Sequence, residues 1–339
     1  MRVRGLVKLA VTALIGVVAL AAIVALRPGF TFPILRDGSI ASLEQVVLNG
    51  APQWILIRGR PDKPIVLFLH GGPGMPSMYL AHAFQRSLER DFLVVHWDRR
   101  GAGKTYPATT NPALVRTSQE VADAAELIGV LRQRYGQRRV IVIGHSYGSY
   151  LGIALVAQHP ELVRAYVGVG QVSCDPDTEA AIQDAWLRQE SAAAGDRDTQ
   201  AQIGTTHWDR ESALFRYGAE VMKWTSVTPM ILTGLASSEY SFTDAMNVRK
   251  GVAFTHRNFV YDGPHRPLSE SVRALNSPLY LFEGRRDYVA PTACAAQLFG
   301  EIIAPRKVWV WFDRSAHFPF LEEPEKFHEE LLAVESASP

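Results

Sequence analysis

Cysteine is almost absent from this chain: Cys174 and Cys294 are the only two in 339 residues. Two thiols so far apart, with no histidines at ligand spacing, build no metal site, and none is expected. They fall just after apolar runs that should be neighbours in a sheet. An oxidising compartment would permit a bridge, but two buried free thiols is the commoner outcome and the expectation here. Excess charge of one sign is also lacking. The 35 Lys+Arg nearly cancel the 34 Asp+Glu, and no basic stripe occurs, which excludes the electrostatic footprint of a nucleic-acid-binding protein. Low-complexity tracts and internal repeats are missing too. With 47% hydrophobic residues the chain has the material for a full core, and disorder is not a serious reading.

What is present begins at the amino terminus. Arg2, Arg4 and Lys8 precede an uncharged stretch, Leu9 to Leu26, broken in polarity only by Thr12. At about 1.5 Å per residue it makes a helix of about 27 Å, just enough for a bilayer core. The expectation is an N-terminal transmembrane anchor over residues 1–27. The alternative is a signal segment cleaved near Ala19-Leu20-Ala21. In either case the basic end stays in the cytoplasm and the rest is exported, to periplasm or exterior.

Beyond a linker, short apolar runs recur at 43–48, 54–57, 65–70, 92–97, 140–144 and 165–170, and again at 278–284 and 307–312. Helix-length segments separate several of them. One is 118–135, with Ser118 as its expected N-cap and Val121, Ala125, Ile128 and Leu131 on one face. Such alternation predicts a mostly parallel eight-stranded sheet covered on both faces, opened by an antiparallel hairpin. Between 174 and 273 the alternation stops and polar helical stretches carry Trp186, Trp208, Phe215 and Trp224. This segment reads as a helical lid inserted after the sixth strand, over the carboxyl ends where ligands bind in such sheets. The organisation is therefore core (28–173), lid (174–273), core (274–339), closed by a helix from 324.

The run 140–144 leads straight into Gly144-His145-Ser146-Tyr147-Gly148, and a small, apolar helix follows to Gln158. Strand, G-x-S-x-G and helix together are the context of a nucleophile elbow, with Ser146 on a strained turn. A serine needs a base, and the base an orienting carboxylate, in the order Ser, Asp, His. Asp287 and His317 each lie just beyond a late strand and fit that order. Asp313 is an alternative orienter, Glu283 lies within its strand, and His256, His265 and His328 read as surface. Two backbone N–H donors must face an oxyanion. Tyr147, opening the helix after the nucleophile, supplies one, and Gly72 of His70-Gly71-Gly72-Pro73-Gly74 the other, with Gly71 as second choice. Asp98 to Thr105 ends in GKT but lacks the earlier glycine of a phosphate loop. It reads as a structured turn beside the site, with Asp98 and Arg99 in a local ion pair.

HGGPG, DRRGAGKT, GHSYGS, EGRRDYVAP and RSAHFPFLEEPEKF, in that order, resemble the proline iminopeptidase (prolyl aminopeptidase) branch of the α/β-hydrolase superfamily over roughly residues 40–170 and 275–335. The resemblance implies Ser146 as nucleophile, Asp287 as acid, His317 as base, and Gly72 and Tyr147 as the oxyanion hole. It also implies an α/β-hydrolase fold and no cofactor. Two departures stand out: Tyr147 replaces the family's Trp, and the lid has no Trp-Glu pair for a substrate's free amino terminus. Glu220 and Glu239 are the lid carboxylates that remain to hold such an ammonium group. The expected activity is acyl-enzyme hydrolysis of short peptides or arylamides. The alternatives are a carboxylesterase or lactonase on small hydrophobic esters, and a catalytically silent binding protein. The expected partners are a small-molecule or short-peptide substrate and, through the N-terminal helix, a membrane.

Overall fold

Each of the eight apolar runs forms a strand in the computed structural model, which describes residues 11–16, 27–265 and 267–338. The strands are β1 (Ile40–Leu48), β2 (Ala51–Gly59), β3 (Ile65–Leu69), β4 (Leu93–Asp98), β5 (Val140–His145), β6 (Val163–Val169), β7 (Leu279–Gly284) and β8 (Lys307–Phe312). They make one sheet in the order β1-β2-β4-β3-β5-β6-β7-β8. β2 runs antiparallel to β1 and β4, and every other pairing is parallel. Central strands are apolar on both faces because both faces are covered. In β3, Ile65, Leu67 and Leu69 pack into one core, while Val66 and Phe68 pack into the other.

The longer helices outside the 174–273 segment are α1 (Thr117–Tyr135), α2 (Tyr147–Gln158), α9 (Thr292–Glu301) and α11 (Pro324–Ala337). Val121, Ile128 and Leu131 of α1 are buried in the first core, as their spacing predicts. Ser118, however, is not the cap of α1 but lies in its first turn. Its N–H and hydroxyl both donate to Asp262, at 2.8 and 2.7 Å, and Thr117 N–H donates to Val260 O. The free donors of the helix start are thus met by a carboxylate far along the chain, which local sequence does not reveal.

Between β6 and β7 the chain is helical, as expected: α3 (Pro176–Ala193), α4 (Arg197–Gln202), α5 (Arg210–Arg216), α6 (Thr228–Leu235), α7 (Phe242–Asn258) and α8 (Leu268–Ser271). Asp175, Asp196, Asp209 and Ser241 cap α3, α4, α5 and α7 with their own side chains. The insertion has a small core of its own, where Trp186, Leu187 and Leu214 meet and Trp186 stacks on Tyr288. A short α10 (Pro319–Glu322) precedes α11.

Two expectations need correction or restriction. Cys174 and Cys294 are not free thiols but a disulfide, with Cα atoms 5.4 Å apart. β6 and β7 are parallel neighbours, so the segments leaving their carboxyl ends run side by side and bring the two residues within bridging reach. The apolar stretch Leu9–Leu26 lies, apart from residues 11–16, outside the described residues. Among the described residues no helix is long and apolar enough to cross a membrane.

The bridge ties the root of the insertion to the helix after β7 and closes a loop of 120 residues. Chain entropy alone assigns such a crosslink about 4–5 kcal/mol. Replacing both cysteines by serine should lower the melting temperature by several degrees, and a reductant should reproduce that shift in the parent chain only. Equal melting of the two proteins under oxidising conditions would exclude the bridge.

Candidate active site

Ser146 occupies the left-handed region, at φ 54° and ψ −127°. Backbone of this kind costs about 1–3 kcal/mol and persists only where its surroundings over-determine it. Here the surroundings do so. Ser146 N–H donates to Val169 O of β6 at 3.0 Å, and the N–H of Ser149 returns to Ser146 O at 2.7 Å. The flanking glycines are demanded by space. A Cβ on Gly144 would lie 2.4 Å from Gly148 O, and one on Gly148 would lie 2.0 Å from Leu69 O, so strand, helix and β3 can approach this closely only without side chains there.

His317 and Asp287 meet beyond β8 and β7. Nδ1 of His317 donates to Asp287 Oδ2 at 2.8 Å, and the other carboxylate oxygen accepts the N–H of Ala290 at 2.9 Å. Burial pulls the imidazole pKa down, but the charge and hydrogen bond of Asp287, helped by Glu220, outweigh it and leave His317 above its ordinary 6.5. Gly170, at the end of β6, makes room for the pair: a Cβ there would stand 2.6 Å from His317 Nδ1 and 2.8 Å from Asp287 Oδ2. The loop carrying His317 is fixed by two carboxylates of LEEPEKF whose role the sequence did not disclose. Glu323 accepts from Arg314 N–H and the Ser315 hydroxyl, at 2.9 and 2.7 Å, and Glu322 accepts from Ala316 N–H at 2.8 Å. Asp313, the alternative orienter, is exposed and paired with Arg285 at 2.7 Å. Glu283 lies buried in β7, accepting from Gln171 N–H, and burial, with Asp287 nearby, pushes its carboxyl well up.

The Gly71 backbone lies against the serine, for a Cβ built there would be 3.0 Å from Ser146 Cβ. Gly71 and Gly72 both line the cavity above Ser146. Tyr147 opens α2, so its N–H has no intrahelical acceptor. The expected Asp98–Arg99 pair does not form. Arg99, fully buried, instead donates to His70 O at 2.7 Å and Gly71 O at 3.2 Å and pairs with Glu120 of α1 at 3.1 Å. Glu120 also accepts the Tyr147 hydroxyl at 3.0 Å, and Arg99 stands 5.2 Å from the centre of the Tyr147 ring. Asp98 accepts from Lys104 N–H at 2.8 Å and from the Tyr240 hydroxyl, and burial raises its pKa to about 7. The Tyr147 side chain is therefore part of the support under the HGGPG turn and does not line the cavity.

A cavity of about 290 Å³ holds Ser146, His317, Gly71 and Gly72, and the insertion completes it with Glu211, Phe215, Glu220, Met230 and others. Of the two carboxylates singled out in the sequence, only Glu220 is here. Burial pushes its carboxyl up to about 7, against the pull of His317. Its carbonyl accepts the His317 N–H at 2.9 Å. Glu239 is elsewhere, buried and bonded to the hydroxyls of Thr31 and Ser237 at 2.9 and 3.0 Å, because residues 27–31 fold across it. Among the insertion aromatics Phe215 lines the cavity, whereas Trp186 stacks on Tyr288 and the Trp208 indole donates to Asp184. His256 is exposed and borders the cavity. His328 is not a surface residue: it is buried on α11 and 2.9 Å from Asp91.

The sequence model for the α/β-hydrolase fold matches residues 64–324. A probable aminopeptidase of Bacillus subtilis (strain 168), YbaC, is 29% identical over 303 residues, covering 85% of this chain and 94% of that protein. A putative carbamate hydrolase of Enterobacter cloacae, RutD, is 24% identical over 271 residues, 79% of this chain and 90% of that protein. In fold, the crystal structure of the proline iminopeptidase of Mycobacterium smegmatis superposes with a TM-score of 0.65 at 18% identity, over 87% of this chain and 98% of that one. Sheet order, the placement of the serine turn and a family match across more than three quarters of the sequence agree: this chain belongs to the α/β-hydrolase fold family, and its resemblance runs to the proline iminopeptidase-like branch.

Proposed function

We propose that this chain is a serine hydrolase that works through an acyl-enzyme, with Ser146 as nucleophile, His317 as base and Asp287 as its orienter. The observation that carries the reading is the 2.8 Å His317–Asp287 hydrogen bond at the edge of the cavity that holds Ser146. Asp287 holds the Nδ1 proton, which leaves Nε2 free to take the proton from Ser146 Oγ as it attacks the acyl carbon. The N–H groups of Gly72 and Tyr147 receive the oxyanion. The tetrahedral adduct collapses as His317 passes its proton to the leaving amine or alcohol. Water then repeats the sequence and releases the acid.

The substrate we favour is a short peptide or arylamide with a free N-terminal proline or similar residue, whose ammonium group sits against Glu220 while the helical insertion acts as a lid. The position of Glu220 in the Ser146 cavity favours this reading, as does the name of the aminopeptidase relative. A second reading, hydrolysis of a small hydrophobic ester, is favoured by the apolar side chains of Phe215, Met230 and Val252 around the same space. We also propose that Leu9–Leu26 anchors the chain in a membrane with the hydrolase on the far side from the cytoplasm. The Cys174–Cys294 bridge supports an oxidising compartment.

A proline arylamide and a p-nitrophenyl ester separate the two substrate readings: rapid ester turnover with an inert arylamide removes the aminopeptidase. Ser146→Ala should abolish fluorophosphonate labelling and lower kcat by roughly 10⁴- to 10⁶-fold on either substrate; equal labelling of variant and parent would sink the serine mechanism. Because the neutral imidazole is the active form and its pKa is raised, the acid limb of kcat/KM should lie above 6.5. Glu220→Gln removes a charge that favours the imidazolium, so that limb should move to lower pH, and KM for the arylamide should rise about 10- to 100-fold. An unchanged limb and KM would take Glu220 out of the site. Gly170→Ala should push a methyl into the His317–Asp287 pair and lower kcat by about 10²-fold, read beside a melting curve that reports whether the fold is intact.

A further inference from the structure

The Ser146 cavity has a neighbour. Beside it, between α6 and α7, lies a second cavity of about 640 Å³, and Met75, Tyr79, Val227, Met230, Val252 and His256 line both. The lining that the second space adds is almost wholly hydrocarbon, including Ile231, Leu235, Phe242, Ala245 and Met246. A space of this size and polarity suits an apolar chain rather than a polar peptide.

The rim of this space is open to the surface and apolar along α6 and at the start of α7. Ile231 is 52% exposed, Leu232 61%, Leu235 54% and Phe242 55%, an arrangement that water-facing helices ordinarily avoid. What covers it is indicated by the other end of the chain. The uncharged stretch Leu9–Leu26 ends one residue before Arg27, and the Arg27 guanidinium donates to Ser237 O at 2.9 Å while Phe30 N–H donates to Ser238 O at 2.9 Å. Ser237 and Ser238 lie in the turn that joins α6 to α7. A chain leaving a bilayer at Leu26 therefore arrives at the base of this patch, and the patch must lie close to the lipid surface.

We infer that the hydrolase takes an amphiphile from the membrane: the α6–α7 patch rests on the bilayer, and the adjoining cavity receives the substrate's hydrocarbon chain while its scissile carbonyl reaches Ser146. The inference rests on the proposed anchoring by Leu9–Leu26 and on Ser146 as nucleophile, and it holds for an ester or an amide.

The test uses the full chain in vesicles of phosphatidylcholine and phosphatidylglycerol. Because both native cysteines are bridged, Leu232→Cys offers one thiol for a nitrobenzoxadiazole label. Its emission should shift to the blue and brighten several-fold when vesicles are added. The same label at Ile303→Cys, exposed near the amino end of β8, should not respond. Across p-nitrophenyl esters from acetate to decanoate, KM should fall roughly threefold per added methylene until the cavity is full. Ala245→Trp, which narrows the cavity, should reduce the decanoate-to-acetate ratio of kcat/KM at least tenfold. A label that ignores vesicles on a chain that still sediments with them overturns the patch and leaves the anchor standing. A label already blue without lipid assigns the patch to the chain's own apolar stretch and also overturns the inference. Acetate turnover with no dependence on chain length, or no effect of Ala245→Trp, overturns the cavity's role alone. Failure to sediment, or loss of all hydrolysis, removes the anchoring or the serine reading and the inference with it.

Discussion

Parallel pairing from β3 to β8 is the constraint on which the site depends. Parallel neighbours cannot be joined by a tight turn, so each connection must cross back over a face of the sheet, and all these strands end at the same edge. The turns after β3, β5, β6, β7 and β8 therefore gather there whatever their sequence. Those five turns carry Gly71 and Gly72, Ser146, Gly170, Asp287 and His317. The proposed chemistry uses residues far apart in the chain because the sheet has already removed the distance between them.

The turns are not left to find their own shapes. Beneath the serine, Arg99 and Glu120 form a buried pair that reaches the HGGPG carbonyls on one side and the Tyr147 hydroxyl on the other. Removing one member of such a pair leaves the other charged and unmet, typically at about 3–5 kcal/mol. Under His317, Glu322 and Glu323 hold three consecutive residues by their backbone or hydroxyl groups. These supports explain how a serine in a costly conformation and a buried imidazole–carboxylate pair can be kept at one edge.

Much of this was legible in the sequence, and the legible part was local. Eight apolar runs became eight strands, the G-x-S-x-G turn fell between β5 and α2, and the post-strand positions of Asp287 and His317 followed from where β7 and β8 end. What escaped was set by contacts across the fold. Asp262 caps α1 from 144 residues away, so Ser118 misled. Glu239 is drawn into a polar cluster with Thr31, which no lid-based reading contains, and Arg99 finds Glu120 instead of its neighbour Asp98. The bridge between Cys174 and Cys294 depends on strand adjacency, which spacing suggests without fixing side-chain direction. Tyr147 is the instructive case. It departs from the resembling family beside the nucleophile, yet its ring packs under the elbow, against Arg99 and Glu120.

The disulfide at the root of the insertion has an evolutionary reading. It fastens the segment at the point where it leaves the sheet, next to the helix that follows the Asp287 turn, so the framework on the sheet side is closed independently of what the intervening hundred-odd residues do. Substitutions, insertions or deletions within that interval can then be sampled with the framework still closed, provided the Glu220 carbonyl that accepts the His317 N–H stays in place.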